Sequence, residues 1–190
     1  MAVKGNVVNL KWYRLLLIPL VVLGIAWLWV QNVSGTYSMK SVVDKSERRL
    51  YLVQGFRTVK SYPVVLGSNP RGDKFFEGDR RTPTGRFYIC QKKTKSRTGN
   101  WLGLSYPGIE DAERGLRQGV IDEAEYRTII NAHKEKKTPP WNTELGGKIY
   151  IHGGGLRKKD WTKGCIAMQN RDVRDLCNHV DLGTEVIIRE

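Results

Sequence analysis

Two glycine-marked segments near the C-terminus restrict the fold of this 190-residue chain more than any other feature. The first, Ile149-Tyr-Ile-His-Gly-Gly-Gly155, delivers His152 to the end of a short apolar run that reads as a strand. Three glycines then let the backbone turn tightly and approach another group closely. The second, Asp160-Trp-Thr-Lys-Gly-Cys-Ile-Ala-Met168, sets Cys165 behind Gly164 at the head of another apolar run. A histidine at a strand end and a cysteine after a glycine, joined by a loop, can meet in space. They form the minimum kit for thiol nucleophilic catalysis: an imidazole to take the proton and backbone N–H groups to hold an oxyanion. Each residue alone has a plainer reading, since a lone cysteine is more often a small buried hydrophobe and a lone histidine a hydrogen-bonded structural residue. Lys163, a cation two positions before the thiol, favours the thiolate.

The wording of these segments resembles the L,D-transpeptidase catalytic domain family (YkuD-like). The carriers are His152-Gly153, Gly164-Cys165-Ile166, a helix from about Asn170, the final run Gly183-Thr-Glu-Val-Ile-Ile188, and an upstream signature, Thr82-Pro-Thr-Gly-Arg-Phe87. The resemblance covers roughly Ser38 to the C-terminus, with its motifs in the family's order. Many members have His before the Gly-Cys pair and Arg two residues after the Cys, where this chain has Lys163 and Ala167. Asp160-Trp-Thr-x-Gly-Cys-Ile-Ala looks like a variant branch.

Composition bounds the remainder. The length allows one domain with a proper core plus an appendage. A formal charge of +13 and a pI near 9.8 predict attraction to anionic partners. The cations are spread along the chain without a nucleic-acid-binding signature, so the charge reads as an envelope-compatible surface. Cys90 falls on the face of Tyr88, opposite Phe87 and Ile89, while Cys177 joins Val173, Leu176 and Val180 in a helical stripe. Two buried thiols or one disulfide fit both positions. Cys177-x-His179 is too sparse for a structural zinc site, and His179 is expected at the surface.

Residues 12–30 form a predominantly apolar run whose uncharged part, Leu15 to Val30, is about 16 residues. Trp12, Tyr13, Trp27 and Trp29 stand near its ends, and Lys4, Lys11 and Arg14 precede it. These features predict a membrane anchor at 12–30 behind a cytoplasmic segment 1–11, with everything after Val30 exported. A cleaved signal peptide is the rival. Residues 31–37 read as a linker and 38–190 as the catalytic domain, placed in the periplasm or outside the cell.

Within that domain the sequence predicts strands over Ser41–Val43, Arg48–Val53, Thr58–Leu66, Arg86–Gln91 and Trp101–Tyr106, with Pro63 marking an edge or bulge. Around Asp111 to Leu116 it predicts a short glycine-interrupted piece, then a better helix over Asp122–Lys137 capped by Asp122. Residues 108–142 are thus a helical insertion, either a lid or wall over the site or a surface decoration. His133 on that insertion is expected in solvent. The fold class is mainly β (α+β), a mixed or antiparallel sheet curling into a sandwich or half-barrel, with a C-terminal helix over Asn170–Val180.

The resemblance implies acyl transfer on peptidoglycan stem peptides through a Cys165 thioester, acylation of the same thiol by carbapenems, and no metal or organic cofactor. It further implies that the main-chain carbonyl of Gly153 orients His152. The N–H groups of Gly164 and Cys165 are the natural oxyanion donors, since no side chain in the motif can serve. Lys163 and Arg157 could steer a substrate carboxylate, Trp161 could stack on substrate, and Thr82 to Gly85 is expected to help shape the groove; each also has a purely structural use. Asp160 reads as a loop hydrogen-bonder. A hydrolase of the same fold and a silent wall-binding module are the other readings. The sequence leaves the oligomeric state open.

Overall fold

Short strands with alternating burial form the framework in the computed structural model, which describes residues 38–94 and 99–190. The expected anchor at 12–30, its flanks and the tip of the hairpin near residue 97 lie outside the described residues. Strands β1 (Met39–Asp44), β2 (Arg49–Gln54) and β3 (Arg57–Pro63) form an antiparallel meander. β4 (Gly85–Lys93) and β5 (Trp101–Leu104) form a hairpin. The insertion supplies α1 (Ile109–Arg117) and α2 (Glu123–Lys134). β6 (Tyr150–His152), β7 (Ile166–Ala167), α3 (Asn170–Cys177) and β8 (Glu185–Arg189) complete residues 38–190.

One eight-stranded sheet runs β3-β2-β1-β8-β4-β5-β6-β7. It is mixed: β1 pairs parallel with β8 and β6 with β7, and the other neighbours are antiparallel. Pro63 is tolerated because β3 is an edge strand, where a missing N–H costs no ladder bond. Beyond β3 the chain returns to the opposite edge, with Val65 bridging Ala167 and Gly67 bridging Thr162. The two ends of the strand order therefore meet and the sheet curls into a half-barrel. Its concave side buries Val43, Leu52, Ile89, Leu102, Ile151, Ile166 and Val186 under Val173, Leu176 and Cys177 of α3. The helical stripe foreseen for Cys177 is thus the one that packs, and Cys90 and Cys177 are both free thiols.

The insertion departs from expectation at Gly115, which lies inside a continuous α1 instead of breaking it. A Cβ there would come within 3.0 Å of Leu145 Cδ2, so the missing side chain makes room for a second small core of Ala112, Ile121, Ile129 and Leu145. Asp122 caps α2 by accepting from Glu125 N–H, and Glu125 returns the bond. His133 is half-buried instead of exposed: Nε2 is 2.8 Å from Pro107 O and the ring meets Tyr88 edge-on. Among the described residues no helix is long and apolar enough to cross a membrane.

Candidate active site

β6 and β7 bring the two glycine-marked segments side by side, with Ile151 opposite Ile166 and His152 opposite Ala167. Ile151 and Ile166 are fully buried, so alternation turns Tyr150 and His152 to the other face. Cys165 stands one residue before β7, at the height of Tyr150. Its Sγ accepts from Tyr150 N–H at 3.4 Å and faces Lys148 O at 3.5 Å. The thiol thus lies two register positions from His152, and in the resting structure the sulfur contacts the backbone of Lys148 and Tyr150.

His152 Nδ1 is in close contact with Gly153 O. A carbonyl can only accept, so the proton sits on Nδ1 and the lone pair on Nε2, the tautomer a general base requires. The turn behind it is clamped: a Cβ on Gly153 would fall 2.1 Å from Asn170 Oδ1, which accepts from Gly154 N–H at 2.9 Å. The ring centroid of Trp161 lies 6.0 Å from that of His152, and the Arg157 guanidinium stacks 4.0 Å from the Trp161 ring. Lys163 is exposed and unpaired among the described residues.

Gly164 has φ +129°, and a Cβ there would lie 2.8 Å from Arg81 O. Its N–H, expected to hold an oxyanion, already donates to Thr162 Oγ1 at 3.1 Å, and Thr162 donates onward to Cys165 O at 2.6 Å. A threonine two residues ahead is well placed for such a local turn. No described hydrogen bond occupies the N–H of Cys165. Thr82 is fully buried and accepts from Gly67 N–H at 2.9 Å, and Gly85 borders a separate cavity of about 440 Å³ beside the insertion. Arg81 and Thr82 are packed against Gly164 and Gly67, so the start of the Thr82–Gly85 turn supports the nucleophile loop. Asp160 takes the anchoring role foreseen for it, accepting from Arg48 and from Leu66 N–H.

A cation that sequence reasoning missed also bears on the thiol. Burial pushes the Cys165 thiol above its ordinary value of 9.0, while the Tyr150 N–H and the charge of Lys74 pull it down. Lys74 is 3% exposed, and its ammonium donates to Asp79 Oδ1 and Phe76 O, both at 2.8 Å. Nothing in its polar, glycine-rich surroundings marked it as buried. Tyr150, on the thiol's side, is met edge-on by Trp101 at 5.0 Å and by Trp141, from the end of the insertion, at 5.8 Å. Among the described residues no three His, Cys, Asp or Glu side chains converge to hold a metal.

The chain matches the family model of the L,D-transpeptidase catalytic domain over residues 38–188. No curated protein matches it. Among solved structures it is similar to a point variant of the helical cell shape determining protein Pgp2 from Campylobacter jejuni, with TM-score 0.55 and 22% identity over 82% of this chain and 48% of that one. A second Pgp2 structure gives TM-score 0.53 and 20% identity over 86% and 54%. Bd1075 from Bdellovibrio bacteriovorus gives TM-score 0.51 and 16% identity over 82% and 49%. The chain spans about half the length of these solved proteins, and at such identities the likeness is one of fold.

Proposed function

Since the chain belongs to the L,D-transpeptidase catalytic domain family, we infer that it is a cysteine acyltransferase acting on peptidoglycan stem tetrapeptides in cell-wall remodelling. The observation that carries this reading is the Nδ1 contact of His152 with Gly153 O, which leaves the Nε2 lone pair free to act as a base. Release of the weak Lys148 contact lets the thiol turn to His152 and give up its proton. The sulfur attacks the carbonyl that joins a diamino acid to D-alanine. The Cys165 N–H stabilises the oxyanion. D-alanine leaves with the proton from His152, and a second stem's amine resolves the thioester. Trp161 and Arg157 wall the His152 side, Trp101, Tyr150 and Trp141 wall the thiol side, and the insertion at 108–142 acts through Trp141 as a wall. Lys163, exposed on the loop before the thiol, steers anionic substrate from the rim.

A second reading has a specific observation behind it. Ala167, where many members have Arg, is fully buried in β7, and Lys163 replaces the usual His. A changed surround to the thioester favours water as acceptor, which would make the enzyme a hydrolase of the same bond. We place the domain on the outer side of the membrane, anchored by residues 12–30. Incubation with purified muropeptides, read by mass spectrometry, tests both readings. Cross-linked dimers indicate transfer, tripeptides alone indicate hydrolysis, and either must vanish in Cys165→Ala. Turnover that persists in Cys165→Ala would sink the proposal.

A further inference from the structure

Lys74, in the loop between β3 and β4, is a buried cation that no step of the proposed reaction uses. An ammonium taken out of water needs partners of its own. Besides Asp79 and Phe76 O it has the Tyr106 ring, whose centre lies 5.8 Å from Nζ. The main chain of Lys74 is fixed as well. Its N–H donates to Asp73 Oδ1 at 2.7 Å, and its carbonyl accepts from Arg114 of α1 at 2.8 Å. The side chain of Asp79 is only 4% exposed. Its Oδ1 also accepts from Arg81 N–H at 3.0 Å, and its Oδ2 accepts from Phe75 N–H at 2.8 Å. Burial pushes the Asp79 carboxyl up, but the bonds from Lys74, Arg81 and Phe75 outweigh it and hold it below its ordinary value of 3.8. Lys74 and Asp79 therefore form an enclosed ion pair.

The chain of contacts from this pair ends at the nucleophile. Arg81, held at its N–H by Asp79, sets its carbonyl against Gly164, the residue before Cys165, where a Cβ would fall 2.8 Å from the oxygen. Gly67 closes on the same place: a Cβ there would lie 2.1 Å from Arg80 O and 3.2 Å from Gly164 Cα. We infer that Lys74 is a positioning residue for the thiol: through Asp79 and the Arg81 carbonyl it holds the Cys165 loop in place, and it sets a fixed positive charge near that loop. The inference rests on the acyl-transfer reading of Cys165 and adds to it the group that keeps the nucleophile ready. A thiolate formed at a buried position is costly, and a cation on a rigid frame lowers that cost. Burial pushes the Cys165 thiol up, and the charge of Lys74 works against it. The sulfur otherwise meets the Tyr150 N–H and Lys148 O, with His152 on the neighbouring strand. The remaining charges around Lys74 are Asp73 and Arg81 of its own loop and Asp111 and Arg114 of α1. Arg114 pairs with Asp73 at 2.9 Å and with Asp111 at 2.7 Å, which ties the insertion to the same frame.

Lys74→Met alone would leave the Asp79 charge buried without a partner, so the test combines it with Asp79→Asn, which removes both charges at nearly constant shape. Lys74→Arg keeps the charge. Each variant of the otherwise unchanged chain is checked for a cooperative melt. Alkylation of Cys165 by iodoacetamide is then followed against pH, with peptide mass mapping to separate it from Cys90 and Cys177. The midpoint is expected to rise by about one pH unit in Lys74→Met/Asp79→Asn and to stay near that of the parent in Lys74→Arg. Turnover of a stem tetrapeptide should fall in kcat with KM little changed, because Lys74 touches no substrate. A folded double variant with the parent's midpoint overturns the inference even if its plateau rate differs, since packing alone alters access and not ionisation. Alkylation needs no stem peptide. If the midpoint moves as expected but a stem tetrapeptide never acylates the parent chain, the charge of Lys74 stands and the acyl-transfer reading falls.

Discussion

Alanine at position 164 would put a methyl group 2.8 Å from Arg81 O on a backbone at φ +129°, a conformation that L side chains rarely adopt. Gly164→Ala is therefore expected to cost on the order of 1–3 kcal/mol and to displace Cys165. Thermal melting and the alkylation rate of Cys165 measured together would check it, and an unchanged rate would contradict the assigned packing. The thiol itself is raised by burial, so its alkylation by iodoacetamide should climb with pH to a midpoint above that of glutathione measured alongside. A midpoint below glutathione would mean that the charge of Lys74 outweighs burial. That His152 ends a strand and that Cys165 follows a glycine ahead of another was legible in the sequence because those patterns are local, whereas the Gly153 carbonyl came from the family resemblance. Lys74, Thr162 and Asn170 were not. Their partners lie across the sheet or on another loop, and a lysine in a glycine-rich stretch has the composition of a solvated one. The occupied Gly164 amide illustrates the same limit, since its competitor is a side chain that reads as an ordinary loop threonine.

At the scale of elements, the strand pattern was readable from alternation, and the observed ends differ by extension at Gly85–Lys93 and by earlier endings at Arg57–Pro63 and Trp101–Leu104. Gly115 was misread as a breaker because its helix is stabilised by Leu145, thirty residues along the chain. On the same helix Asp111 accepts from Gly108 N–H at 2.8 Å and from Arg114 at 2.7 Å, and Arg114 also pairs with Asp73 at 2.9 Å. This ties the insertion to the loop that carries Lys74. Burial pushes Asp111 up to about 7 although Arg114 and the Gly108 N–H pull the other way. Its ordinary value is 3.8, so between pH 4 and 7 the folded chain holds a proton that the unfolded chain has lost. Stability should thus fall as pH rises through that window, and Asp111→Asn should flatten the slope. Urea midpoints at several pH values decide it; an identical slope in the variant would assign the effect to another group.

For the whole molecule, the +13 charge makes attraction to anionic wall polymer a long-range effect that small ions screen. Retention on such a polymer should drop steeply between about 0.05 and 0.5 M salt, whereas alkylation of Cys165 should hardly change, because the Debye length is only about 10 Å at 0.1 M. Salt-independent retention would point to a specific wall ligand in place of bulk charge.

The sheet order has a temporal corollary. β8 stands between β1 and β4, so before it is made the ribbon β3-β2-β1 and the ribbon β4-β5-β6-β7 are joined at one edge, by the Val65–Ala167 and Gly67–Thr162 bridges, but not across the gap that β8 fills. His152 and Cys165 are both translated earlier, in the ribbon that contains β6 and β7. An interrupted chain would carry the complete chemical vocabulary of the site with no frame to pronounce it. The gap in the sheet therefore closes only after both site residues have been made.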